Sequence, residues 1–365
     1  MTDSHYLAQG LLAAVRAQNF GATPDNEHGG APVAHFPSID LAVAAFGPGN
    51  SSGTARWANV LFSREHPHGL VAQIGDQATA VQGIRFDADQ QDARGESVVF
   101  AKATDWQRLK FKPLHGAGPA RVVAPYPASL LKLMVAVGVA MAADRGLAPW
   151  PAALEPMMVV SDNDATDTCV ALLHRLKMMG PLNLRFAELG LHSLQLNDTT
   201  PRGGWRNPDG AGVGHIHMTA WDTVRLLWLL NADAPSPPWL PAGTELLKPA
   251  TRAHLRGVLA RQQLDEILSS GSLRGVPGWV PGLPDAPAFA HKTGTTDNYA
   301  SDAGIVRSPR TTNEALNTAA SDGTHYIVAV LTSLGQRYAP HARCATTWRL
   351  PALGAAVHQL IKTMT

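Results

Sequence analysis

The stretch Tyr126-Pro-Ala-Ser-Leu-Leu-Lys-Leu-Met-Val-Ala-Val-Gly-Val-Ala-Met-Ala142 decides how the chain is read. Pro125 and Pro127 impose an extended approach and stop a helix from running back past them. Ser129 then falls in a first helical turn. Residues three apart share a helix face, about 5–6 Å apart at Cβ, so Ser129 and Lys132 can meet. From Leu133 to Ala143 the chain is apolar on nearly every side, which predicts a central helix. A lysine at the rim of such a helix is desolvated, and its neutral amine becomes a usable base. A Ser-x-x-Lys spacing alone is common by chance. Two later triplets add meaning in a fixed order: Ser161-Asp162-Asn163, then Lys292-Thr293-Gly294.

Composition bounds the rest. Apolar residues make up 45% of the 365 and charged residues 16%, which suits a packed core and argues against disorder. Lys plus Arg is 30 and Asp plus Glu is 29, a net charge of +1, which gives no reason to expect nucleic acid or an anionic membrane as partner. Two cysteines, Cys169 and Cys344, make no disulfide framework, and Cys169 reads as a core residue. The first residues carry no basic segment followed by an apolar one, so no signal peptide is expected and the chain reads as cytoplasmic. No apolar run reaches the length of a membrane span. Nothing in the pattern asks for a cofactor, and a monomer acting on a small molecule is the expectation.

Working outward, a short amphipathic helix is predicted over 5–17. Strand-like runs follow at Ile39–Phe46, Ala58–Phe62, Leu70–Ile74, Val81–Phe86, Ser97–Ala101 and Arg121–Val123. Helices are predicted over 129–145, 165–179, 182–190, 220–231, 252–269 and 350–364. Late strands are predicted at Phe289–Thr293, Ala300–Val306 and Tyr326–Leu334. Residues 197–216 form a long loop without periodicity, of the kind usually functional or disordered. The simplest architecture is α/β (α+β): an antiparallel sheet built from both ends of the chain, with an all-α domain inserted. By this division 1–95 is an N-terminal extension with additional strands. Residues 96–127 and 251–365 make the sheet domain, and 128–250 the all-α domain carrying the first two motifs.

Acyl transfer needs a nucleophile, a base, an acid for the leaving group and donors for the oxyanion. Ser129 is the candidate nucleophile and Lys132 its base. Ser161 is a short hydroxyl that can pass a proton onward. Lys292 supplies positive charge that lowers neighbouring pKa values and attracts an anionic substrate. Asn163 can hold a substrate amide, and the Thr293 hydroxyl a carboxylate. Gly294, lacking a side chain, would let a substrate lie edge-on along its strand. The N–H groups of Thr295 and Ser129 could form an oxyanion hole, where removing one donor costs about 3–4 kcal/mol. His66/His68 and His215/His217 have x-His-x-His spacing but no further ligands in pattern, so no metal is expected. His291 should face away from the site, because successive strand residues alternate faces. Ser321-Asp322-Gly323 imitates the second motif in the wrong order and reads as a turn.

The ordered set S-x-x-K, S-D-N, K-T-G resembles the serine β-lactamase and penicillin-binding protein superfamily, most closely the class A β-lactamases. The likeness runs over roughly 95–365. Ser161-Asp-Asn-Asp-Ala-Thr-Asp-Thr-Cys-Val-Ala-Leu-Leu is similar to the family's S-D-N-x-A-x-N-x-L-L helix. Gly180-Pro-Leu-Asn-Leu-Arg-Phe resembles its G-P-x-x-L-x-x-F, Met218-Thr-Ala-Trp-Asp its T-x-x-D/A helix start, and Gly278-Trp279 its G-W before K-T-G. The resemblance implies a three-layer α/β sandwich beside an all-α domain, and the same roles for Ser129, Lys132, Ser161, Asn163, Lys292, Thr293 and Thr295.

The chain departs from the class A pattern in two ways. The stretch Leu196-Asn-Asp-Thr-Thr-Pro-Arg-Gly-Gly-Trp-Arg-Asn-Pro-Asp-Gly stands where class A enzymes carry an Ω-loop Glu that positions the deacylating water. It contains no Glu, and its carboxylates are Asp198 and Asp209. The 29 residues from Lys132 to Ser161 are fewer than class A usually has. The expected function is a β-lactamase-like serine hydrolase forming an acyl-enzyme on Ser129. It would turn over slowly unless Asp198, Asp209 or Lys132 serves as second base. The alternatives are a D-Ala-D-Ala peptidase or esterase, a covalent β-lactam sensor, and a glutaminase-like amidase.

Overall fold

The structure, a computed structural model, describes residues 3–47, 55–89, 111–204, 216–307, 311–313, 318–320 and 323–364. Eight helices are described: α1 (Asp3–Ala17), α2 (Lys132–Asp144), α3 (Leu154–Val159), α4 (Asn163–Arg175), α5 (Met179–Glu188), α6 (Ala220–Leu230), α7 (Pro249–Leu259) and α8 (Arg349–Met364). The strands that carry the architecture are β1 (Ile39–Phe46), β2 (Arg56–Phe62), β3 (Leu70–Val71), β4 (Ile84–Ala88), β5 (Pro113–His115), β6 (Ala120–Ala124), β7 (Phe289–Thr295), β8 (Ala300–Arg307) and β9 (His325–Thr332).

Six strands form one sheet in the order β7-β8-β9-β1-β2-β3, antiparallel at every step. The two ends of the chain meet at its centre, where β9 pairs with β1 from His325↔Phe46 to Thr332↔Ile39. All eight residues of β1 are buried, because both faces of the sheet are covered. Side chains alternate between the two layers. Leu41 and Val43 pack with Leu7, Leu11 and Val15 of α1 and with Val357 and Ile361 of α8. Ala42 and Ala44 join the other core with Leu133 and Val137 of α2 and Trp221 and Leu227 of α6. The result is a mixed α/β molecule, an antiparallel sheet with helices on both faces.

One buried carboxylate ties the layers together. Asp40 accepts from the Ala220 N–H at 2.8 Å and from Asn59 Nδ2 at 2.7 Å, so the start of α6 is pinned to the sheet. Burial raises its pKa to about 6 against these hydrogen bonds.

The strand pairing corrects the expected division of the chain. Residues 1–95 are not an extension beside the sheet: β1 and β2 are its interior strands, and α1 covers one face. Residues 111–127 contribute nothing to the main sheet. Instead β6 runs parallel to β4, which is antiparallel to β5, in a separate three-stranded sheet. That small sheet delivers the chain to Pro125 and the nucleophile motif. The expected strand at Ser97–Ala101 lies outside the described residues, as do Ser321 and Asp322.

Helix boundaries moved for local reasons. The expected helix over 165–179 breaks at Lys177, whose φ is 55°, and α5 starts two residues later. The prolines at 149, 151 and 156 hid α3, yet Pro156 sits in its first turn, where no N–H is needed. The helix expected to run to 269 ends at Leu259. The chain beyond it is irregular and brings Asp265 and Ser269 to the sheet. Among the described residues no helix is long and apolar enough to cross a membrane.

Candidate active site

Ser129 lies in a tight 3-10 turn, Ala128–Leu131, that leads directly into α2. Ala128 has φ 50°, a left-handed conformation that is strained for any residue with a Cβ. Ser129 is partly exposed, whereas Lys132 and everything on α2 to Ala142 is buried. As a residue of the first turn, Ser129 leaves its N–H without an intrahelical acceptor.

The second motif is held against the first through Lys132. Its Nζ donates to the Ser161 carbonyl at 2.5 Å, to Ser161 Oγ at 3.1 Å and to Asn163 Oδ1 at 2.8 Å. Ser161 also has a left-handed backbone, φ 60°, immediately before α4. Asp162 caps that helix by accepting from the Ala165 N–H at 2.7 Å.

The third motif closes the group. Lys292 Nζ, on β7, donates to Ser161 Oγ at 3.0 Å and to the Thr293 carbonyl at 2.6 Å. A hydroxyl has two acceptor lone pairs and one proton, so Ser161 accepts from both lysines and keeps its own proton to give. Burial lowers Lys132 to about 8, against the pull of Asp162 and Asp167. Burial, then the Lys132 charge, lowers Lys292 to about 7, with Asp302 and Glu266 opposing.

β7 is an edge strand, and its direction settles what each residue presents. Thr296 N–H donates to Tyr299 O across the β7–β8 hairpin at 2.9 Å. In an antiparallel ladder alternate residues point to the partner, so the Thr295 N–H points to the free edge. Thr295 Oγ1 is buried and has no hydrogen-bond partner among the described residues. Thr293 is buried, 2% exposed.

Gly294 has a packing role that the sequence did not show. A Cβ there would stand 2.5 Å from Leu130 N and from Pro127 O, and 2.6 Å from Ser301 Oγ. The glycine lets the edge strand pack against the backbone of the nucleophile turn.

His291 points to the opposite face of the sheet from Lys292, as strand alternation requires. Its Nδ1 lies 2.7 Å from Asp302 Oδ1 and its Nε2 3.2 Å from Asp265 Oδ1. Burial opposes its charge, but the two carboxylates raise it to about 9, so it is an imidazolium at neutral pH. Asp302 also accepts from Leu268 N–H, and Asp265 from Ser269 Oγ. This network fixes β7 from behind.

Sequence reasoning missed two carboxylates here. Glu266 is close enough to Lys292 for each to affect the other's charge, and burial raises its pKa. Asp167 stands near Lys132 in the same sense. The signal for Asp167 was its place four residues after Asn163, on one helix face. Asp198 is exposed with φ 52°, and Asp209 lies outside the described residues. His217 is buried with Nε2 unpartnered, and His215 is outside the described residues. Among the described residues no three His, Cys, Asp or Glu side chains are placed to hold a metal ion.

Similar solved structures include a class A β-lactamase from Bacteroides cellulosilyticus, 17% identical over 66% of this chain and 85% of that one, with a TM-score of 0.44. PBP-A is 22% identical over 65% and 79% of the two chains, TM-score 0.39. Penicillin-binding protein D2 from Listeria monocytogenes, solved with ampicillin, is 17% identical over 65% and 87%, TM-score 0.37. No curated protein sequence matches the chain. A model of the β-lactamase enzyme family matches residues 148–344, more than half of the chain and inclusive of the second and third motifs. The chain therefore belongs to the β-lactamase enzyme family.

Proposed function

We propose that this chain is a serine acyl-transfer enzyme that opens β-lactams, or related amide and ester donors, by forming an acyl-enzyme on Ser129. The observation that carries this reading is the shared hydroxyl: Ser161 Oγ lies 3.1 Å from Lys132 Nζ and 3.0 Å from Lys292 Nζ. With Lys132 lowered to about 8, a usable fraction is neutral near pH 7–8 and can take the Ser129 proton. Ser129 Oγ then bonds to the carbonyl carbon while the oxyanion faces the N–H groups of Ser129 and Thr295. The leaving nitrogen takes the Ser161 proton, and Lys132 replaces it with the one it took from Ser129. The unpartnered Thr295 Oγ1 supports a polar group of the substrate beside this strand.

The test is intact-protein mass after mixing with nitrocefin and with benzylpenicillin, for the natural chain and for Ser129→Ala. A mass increase equal to the whole β-lactam is expected in the first and absent in the second. An adduct that survives Ser129→Ala removes the assignment. The missing Ω-loop Glu favours a covalent β-lactam sensor as the second reading. In that case the adduct lasts for hours and nitrocefin colour stops at one equivalent.

A further inference from the structure

Hydrolysing the Ser129 ester needs a second base, and the expected Ω-loop Glu is not in the sequence. Three carboxylates lie on or beside the start of α4. Asp162 is committed as its N-cap, accepting from Ala165 N–H. Asp164 is exposed, one residue round the helix from Asn163. Asp167 is one full turn beyond Asn163, on the face that turns Asn163 Oδ1 to Lys132 Nζ at 2.8 Å. It is half-buried, and no hydrogen bond to its carboxylate exists among the described residues.

The surroundings of Asp167 are built. The loop after α5 closes onto it through Gly203 and Gly204. A Cβ on Gly203 would stand 2.4 Å from Asp167 Cβ, and one on Gly204 3.5 Å from Asp167 Oδ1. The loop backbone therefore approaches α4 as closely as it can, at this residue. A half-buried carboxylate one helical turn beyond the residue that holds Lys132, with loop backbone packed against it, suits the holding of one water. It is also near enough to Lys132 to favour that lysine's charged form.

We infer that Asp167 is the base that activates the deacylating water, in place of the absent Ω-loop Glu. This rests on the acyl-enzyme reading above. The water oxygen bonds to the acyl carbonyl carbon, and its proton passes to the Asp167 carboxylate. As the bond from that carbon to Ser129 Oγ breaks, the same proton returns through Lys132 to Ser129. The acid leaves and the enzyme is restored, with no other reactant consumed.

The experiment follows adduct formation and decay by intact mass in the full chain, with nitrocefin and benzylpenicillin, for the natural protein, Asp167→Asn and Asp167→Glu. Asp167→Asn is expected to acylate no more slowly than the natural chain, since losing this charge leaves Lys132 more often neutral, but to hold its adduct at least about 10²-fold longer, the scale of a lost general base. Asp167→Glu, which keeps the carboxylate, is expected to recover part of the decay; a merely structural role would not separate the two steps in this way. Equal decay in Asp167→Asn and the natural chain, or a natural adduct that never decays, overturns the role of Asp167 alone. No adduct in the natural chain overturns the acyl-enzyme reading and this inference with it.

Discussion

Lys292 reaches Ser161 across 131 residues of chain, with Nζ 3.0 Å from Oγ, and on the same oxygen it meets Lys132. Two ammonium groups on one hydroxyl repel each other, and burial already disfavours both charges. The pair therefore holds less than two protons near neutrality, and its apparent pKa values belong to the pair rather than to either lysine. A site that easily gives up and regains one proton is what an alternating base and acid requires.

Ser161→Ala should remove the shared oxygen while leaving Lys132 its bonds to the residue 161 carbonyl and Asn163 Oδ1. Melting temperature should stay near the natural value. Acylation by nitrocefin should fall about 10²-fold, the range of a lost proton-transfer group. Stopped-flow absorbance measures it.

Gly294→Ala should be far more damaging than its one methyl group suggests. The new Cβ meets the backbone at Leu130 N and Pro127 O, which cannot swing aside as a side chain would. Overpacking of this kind costs about 1–3 kcal/mol. Urea unfolding should register it, and acylation should be lost along with the displaced turn that carries Ser129.

The pH profile should show opposite demands from the two lysines. Lys132 acts as base when neutral, so the acylation rate should rise with pH through about 8. Lys292 attracts a carboxylate when charged, so binding of penicillins should weaken as pH rises through about 7. An ester donor without a carboxylate should show the rise in rate without the loss of binding.

His291→Gln should expose what holds β7 in place. With His291 raised to about 9 in the folded chain against about 6.5 unfolded, its contribution is full below pH 6.5 and lost as pH rises through 9. The variant leaves Asp302 and Asp265 without their cation, a loss on the order of 3–5 kcal/mol at pH 7. Its stability should be flatter than the natural protein's between pH 7 and 10. Denaturant unfolding at several pH values decides it.

Much of this was legible in local pattern. The strands at 39–46, 300–307 and 325–332 declared themselves by β-branched and apolar runs between turn residues, and α1, α6 and α8 by helical periodicity. The three motifs stood out because nucleophile, base and second lysine each need a particular residue type. What stayed hidden was long-range. Nothing local tells that β1 pairs with β9 across the whole chain, since a buried central strand reads only as an apolar run. The His291, Asp265 and Asp302 network draws on three separate segments. Asp167 looked like any surface carboxylate of an amphipathic helix.

The sequence by itself determined the chemistry on offer: a serine and lysine one turn apart, a second serine, a second lysine, and no Glu in the loop. Residue identity and helical spacing carry that information without any fold. Only the tertiary structure decided that both lysines converge on Ser161, that Gly294 packs on the nucleophile turn, and that the loop at Gly203 and Gly204 closes onto Asp167. Each of these is a contact between distant segments. Such contacts are set by how the two buried cores close on either face of the sheet, which no short stretch of sequence contains.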